Sequence, residues 1–284
     1  MDGVYCEKCN LAFTINKYGF FEMIVNSAFH EITSTSNDYA SNQFANGDRV
    51  FDEYLMPYFQ KEPFLRVLDV GCGIGRGTSK LKKMGYEAYG VDLPNLSPYW
   101  NTYGNDPGTF ICGDVSRLPF SDNYFDIVTS LGVIEHIGTT DGHDTLASNY
   151  EEARLSYAKE ILRVTRPGGR IVIACPNKSF PVDLHHGFHK GLRGYVFNKT
   201  GLNFHRTWGT NYLLSYAETK KIFCPSSGAR SMYPLPLKNY FGFSKFKMGL
   251  LKPLACFAKF YVNNLPAFLR SSFVNPYMFA EFRK

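Results

Sequence analysis

Carboxylates are nearly missing from the last part of this 284-residue chain. After Pro176 only Asp183, Glu218 and Glu281 stand against 16 Lys and Arg, a local net charge of +13, whereas residues 1–175 hold 15 Lys and Arg against 22 acids, a net −7. Such a split directs the C-terminal part toward something anionic, be it a phosphorylated substrate, a nucleic acid or a membrane surface, or else marks a solvated basic face. No run of about 18 uncharged apolar residues occurs, which argues against a spanning helix. No apolar segment follows a basic start, so we expect no secretory signal and a cytoplasmic protein, with contact at a membrane surface as its furthest reach. Internal repeats and low-complexity tracts are also missing, and one large α/β unit is the simplest account.

What is present begins with rhythm. From Phe64 onward, short β-branched apolar runs alternate with amphipathic stretches, the pattern of parallel strands joined by crossover helices. We place strands at Arg66–Val70, Ala88–Val91, Thr109–Cys112, Phe125–Leu131 and Arg170–Cys175. A helix is expected over Leu146–Val164, with Leu155, Ala158, Ile161 and Leu162 at helical spacing, stopped by Arg166-Pro167-Gly168-Gly169. Beyond Pro176 a helix around Tyr212–Phe223 and late strands at Ala229–Leu235 and Tyr277–Arg283 are expected. Met248–Tyr261 reads as a basic amphipathic helix that Pro253 either interrupts or begins.

Val67-Leu68-Asp69-Val70-Gly71-Cys72-Gly73-Ile74-Gly75 is a buried strand running into a loop with glycine at every second position. Such glycines allow a tight turn and let backbone N–H groups approach a ligand without an intervening Cβ. A second strand ends at Gly90-Val91-Asp92-Leu93, where a carboxylate can accept hydrogen bonds from ribose hydroxyls. A dinucleotide site uses the same logic, but its fingerprint, G-x-G-x-x-G, requires a glycine where this chain has Arg76. Cys72, Cys112, Cys175 and Cys256 stand singly in apolar or Gly-rich stretches, as reduced core thiols do.

Further along come Gly113-Asp114-Val115-Ser116-Arg117-Leu118-Pro119-Phe120, then Ser130-Leu131-Gly132-Val133-Ile134-Glu135-His136 at the end of the fourth strand, then Leu162 to Arg170 with its Pro-Gly-Gly turn. In this order and spacing the chain resembles the class I S-adenosylmethionine-dependent methyltransferases, most closely the subgroup of ubiquinone and menaquinone enzymes and small-molecule, lipid and glycan methyltransferases. The resemblance covers about Phe64 to Pro176. It implies a Rossmann-like α/β fold, with a mostly parallel seven-stranded sheet, helices on both faces and an antiparallel last strand. It implies S-adenosyl-L-methionine as cofactor, held by Asp69, Gly71, Cys72, Gly73, Gly75, Asp92, Leu93, Asp114, Val115 and Leu131, with Asp114 facing the adenine amino group. The Asn/Asp-Pro-Pro-aromatic run of nucleic-acid base methylases is replaced here by Ser130 to His136, so a nucleic-acid acceptor is not expected. Cys175-Pro176 reverses the order of a C5-methylating nucleophile and reads as core.

In domain terms, residues 1–50 form an N-terminal extension or cap and 51–284 the methyltransferase domain, with a substrate-side insertion at 181–227. In the extension, Tyr5-Cys6-Glu7-Lys8-Cys9 resembles one knuckle of a zinc ribbon. Structural zinc needs four ligands and the chain has no second Cys-x-x-Cys, so no metal is expected. For a general base the candidates are His136 and His185. His185, His186 and His189 also have the spacing of a metal group, but Gly187 opposes the helix that this would need. Residues 236–275, basic and aromatic without an acid, suit either peripheral contact with an anionic membrane or a core-covering helix whose lysines snorkel. The expected acceptor is a small, lipid-linked or sugar-linked molecule. The alternatives are a nucleotide-dependent oxidoreductase and a non-catalytic binding protein that keeps the fold.

Overall fold

The structure, a computed structural model, describes residues 3–7, 10–24, 55–59, 65–103, 108–140, 145–183, 191–200, 205–207, 212–224, 228–238 and 252–284. They fall into two units. The first comprises Met1–Leu131, Leu155–Val172 and Arg283–Lys284, and the second Gly132–Arg154 and Ile173–Phe282.

In chain order the first unit holds strands β1 (Gly3–Cys6), β2 (Leu11–Ile15) and β3 (Phe21–Met23), helix α1 (Met56–Phe59) and strand β4 (Arg66–Val70). Next come helix α2 (Arg76–Lys83), β5 (Glu87–Asp92), the short helix α3 (Ser97–Trp100), β6 (Phe110–Gly113) and β7 (Phe125–Leu131). Helix α4 (Tyr150–Val164) and strand β8 (Thr165–Pro176) contribute their residues from Leu155 to Val172. The strands lie in the order β1-β2-β3-β6-β5-β4-β7-β8. β3 with β6, β6 with β5, β5 with β4 and β4 with β7 pair parallel, while β1, β2 and β3 pair antiparallel. Val67, Leu68, Val70, Ile127 and Val128 are all fully buried, as expected of central parallel strands covered on both faces. Tyr157, Ala158, Ile161 and Leu162 form the buried stripe of α4, and Leu155, expected in that stripe, is half-buried.

The Pro-Gly-Gly turn is not a gap between helix and strand, because β8 already starts at Thr165, whose hydroxyl donates to the Ile161 carbonyl at 2.6 Å. A Cβ on Gly169 would come within 2.6 Å of Thr165 Cγ2 and 2.8 Å of the Arg166 carbonyl, so only glycine fits there.

The second unit adds the short strand β9 (Val182–Asp183), helix α5 (Gly191–Thr200), strand β10 (His205–Arg206), helix α6 (Tyr216–Phe223), β11 (Ser231–Pro234), helix α7 (Lys252–Asn263) and β12 (Tyr277–Arg283, to Phe282 here). Its strand order is β8-β12-β11, and β9 pairs separately with β10. Strand β12 runs antiparallel to β8: Gly168 donates to the Lys284 carbonyl near the start of β8, and Asn177 to the Pro276 carbonyl just past its end. Arg154, buried in the first turns of α4, donates to the Ile137 carbonyl at 3.1 Å and to the Tyr212 carbonyl at 2.5 Å.

The seven strands expected from the sequence are therefore present as β4 to β8, β11 and β12. The seven-strand count itself needs correction, because residues 3–23 supply three more strands at the β6 edge, joined through parallel pairing of β3 with β6.

Candidate active site

Because β4, β5, β6 and β7 are parallel neighbours, their C-terminal ends share one edge of the first unit, and open α/β sheets place ligands at that edge. The loop after β4 turns there through Gly71, Gly73 and Gly75, whose φ angles of 78°, 57° and 82° lie in the left-handed region. It is stitched to β5 by the Gly71 and Cys72 amides, which donate to the Val91 carbonyl at 2.8 and 3.1 Å. Gly75 is constrained twice, since a Cβ there would also lie 2.6 Å from the Phe110 ring.

Asp92, at the end of β5, accepts the Gly73 amide on one oxygen and the Leu93 amide on the other, each at 2.7 Å. Two of roughly four acceptor positions of the carboxylate are thus used, which leaves acceptor capacity for two hydroxyl donors. Burial pushes the Asp92 carboxyl up to about 7 against the two amides, which pull it down. Asp69 accepts the Thr129 hydroxyl from β7 at 2.9 Å, and burial lifts its carboxyl to about 6. Asp114, buried just past β6, accepts both the amide (2.8 Å) and the hydroxyl (2.7 Å) of Ser116. Burial raises the Cys72 thiol well above its ordinary range and the Cys112 thiol to about 12, so both are held as neutral core groups.

A supporting layer behind the loop was not legible in the sequence. Trp100 is fully buried, and its indole N–H donates to the Gly73 carbonyl at 2.8 Å. Its ring stacks on Phe110 at 5.3 Å, and Phe20, from the turn before β3, meets it edge-on at 5.1 Å. Asn16 fixes that turn by accepting the Tyr18 and Phe20 amides on its side-chain oxygen, while its amide group donates to Ser97 at 3.1 Å. Neither Trp100 nor Asn16 sits in a motif or on a periodic face, so only their place beside the loop reveals them.

The structure thus brings Asp69, Gly71, Cys72, Gly73, Gly75, Asp92, Leu93, Asp114, Val115 and Leu131 to the ends of four adjacent strands of the first unit. His136 belongs to the second unit, where it closes the 3-10 turn Ile134–His136 and is half-buried. His185 and its neighbours His186 and His189 lie outside the described residues, as does Cys9 of the knuckle-like segment. Among the described residues no group of three or more His, Cys, Asp or Glu has the arrangement to hold a metal ion.

Comparison with known proteins finds the family described as "Methyltransferase domain" matching residues 68–173. A demethylmenaquinone methyltransferase of Beutenbergia cavernae is 28% identical over 127 residues, 45% of this chain and 47% of that protein. The chloroplastic tocopherol O-methyltransferase of Arabidopsis thaliana is 32% identical over 124 residues, 40% of this chain and 31% of that protein. The matched region spans less than half the length of each of these relatives. Among solved structures, the Haemonchus contortus phosphoethanolamine N-methyltransferase 2, in complex with S-adenosyl-L-methionine, superposes with a TM-score of 0.50 at 17% identity, covering 91% of this chain and 60% of that one.

Proposed function

We propose that the chain, whose residues 68–173 match the methyltransferase-domain family, transfers a methyl group from S-adenosylmethionine to a small-molecule, lipid-linked or sugar-linked acceptor. When bound, the cofactor supplies an electrophilic methyl carbon on a positively charged sulfur. The residues of this edge fit such a group. Asp69, Asp92 and Asp114 place three carboxyl groups there. Their charge favours a sulfonium and repels the pyrophosphate of a dinucleotide. This anionic edge is the observation that carries the proposal.

Within it, Asp92 accepts hydroxyls, the glycine loop allows close approach of the backbone, and Asp114 accepts an amino group. The protein's contribution to methyl transfer is alignment and exclusion of water rather than covalent participation. His136 is the candidate base for an acceptor hydroxyl. Acceptors of quinone or tocopherol type come first, because two relatives are named for demethylmenaquinone and tocopherol. The test is transfer of labelled methyl from S-adenosylmethionine into an organic-extractable quinol. We expect incorporation by the wild type, loss in Asp92→Ala, and a lower kcat with unchanged cofactor affinity in His136→Asn. Cofactor binding without transfer to any quinol, lipid or sugar acceptor would favour the non-catalytic reading instead.

A further inference from the structure

Half of the ten strongly exposed large apolar side chains among the described residues lie in one short stretch: Leu254, Phe257, Phe260, Phe268 and Phe273. Helix α7 carries the first three. Its C-terminal end is anchored, with Val262 and Leu265 buried and the Tyr261 hydroxyl donating to the Val274 carbonyl at 2.6 Å. Its N-terminal turns stand free of the core, and Phe257 and Phe260 are 65% and 67% exposed. A core-covering helix, the competing reading of this sequence, would have buried these rings.

At 3.6 residues per turn, Phe260, Phe257 and Leu254 form one continuous exposed arc, and Lys252 and Lys259 lie together on the opposite, exposed face. The whole stretch from residue 236 to 280 carries six Lys or Arg and no acid. No described helix is long and apolar enough to cross a membrane. Exposed rings at this density are costly in water, and a basic face opposite them matches a helix lying in an interface that is apolar below and anionic above.

We propose that α7 and the turn after it dock this protein on the surface of an anionic lipid bilayer. The rings of Phe257, Phe260, Phe268 and Phe273 enter the interface, and Lys252 and Lys259 meet the headgroup phosphates and carboxylates. A polynucleotide is the less suited partner, because the phenylalanines project from a convex helix rather than lining a groove with arginines between them. The inference rests on this segment alone and stands or falls apart from the methyltransferase reading.

Sedimentation of the full-length protein with phosphatidylcholine vesicles containing phosphatidylserine tests it. We expect binding at low ionic strength that weakens with salt and is poor on pure phosphatidylcholine. Phe257→Ser/Phe260→Ser should weaken it at least about tenfold, and Lys252→Glu/Lys259→Glu by more than about tenfold, with an unchanged circular dichroism spectrum and Tm in both variants as the check on folding. Absence of vesicle binding by the wild type overturns the proposal, as does binding that survives the loss of both phenylalanines. Displacement from vesicles by single-stranded RNA that itself binds more tightly would assign the surface to nucleic acid and overturn it equally.

Discussion

Asp92 couples binding to protonation. Burial holds its carboxyl near neutrality, at about 7, and hydroxyl donors favour the ionised form. Cofactor binding below that pH therefore releases a proton. We expect the affinity for S-adenosylhomocysteine to rise about tenfold per unit up to about pH 7 and then level off. Asp92→Asn should be weak at every pH and flat, and calorimetric titration from pH 5.5 to 8.5 distinguishes the two profiles. Trp100 acts one shell further out, through the Gly73 carbonyl. Trp100→Phe leaves that carbonyl without its donor while keeping an aromatic ring against Phe110, and should weaken S-adenosylhomocysteine binding by roughly tenfold. Unchanged affinity would mean that the loop holds its shape without the indole. The acids and glycines of the site were legible because spacing along a strand and loop fixes their place. Trp100 and Phe20 were not, because they reach the loop through tertiary packing from segments without a pattern of their own.

Among the elements, β4, β7 and β12 begin and end where the apolar runs do, since turn residues or a change of polarity border each of them. Strand β8 starts five residues earlier than its apolar run: backbone pairing carries Thr165 to Gly169 into the sheet even though Pro-Gly-Gly reads as a stop. The N-terminal strands were missed for the opposite reason. They are short, none of their described side chains is fully buried, and only β3 pairs with β6. Pro253 falls at the second position of α7, where the missing N–H costs nothing, and so begins the helix rather than breaking it. Helix α6 starts at Tyr216 and not Tyr212 because Ser215 and Glu218 close a capping box: the Glu218 amide donates to the Ser215 hydroxyl at 3.2 Å and the Ser215 amide to the Glu218 carboxylate at 2.8 Å. Ser-x-x-Glu at 215–218 carried that start in the sequence. Ser215→Ala should cost about 1 kcal/mol, seen as a drop of roughly 2–4 °C in Tm by calorimetry.

Over the whole molecule the chemistry is divided by charge. Carboxylates converge on the strand ends of the first unit, while the basic residues and exposed rings accumulate toward the C-terminus of the second. Composition announced this division and the motifs located its acidic half. Chain pattern alone left the basic half open between core cover and surface, since lysine stems suit both. Whether the acidic edge holds S-adenosylmethionine is decided by calorimetric titration of the wild type and Asp92→Ala with S-adenosylmethionine, S-adenosylhomocysteine and NADH. We expect binding of the first two in the micromolar range, loss of both in the variant and no heat from NADH. Binding of NADH alone, or of none of the three, would contradict that assignment.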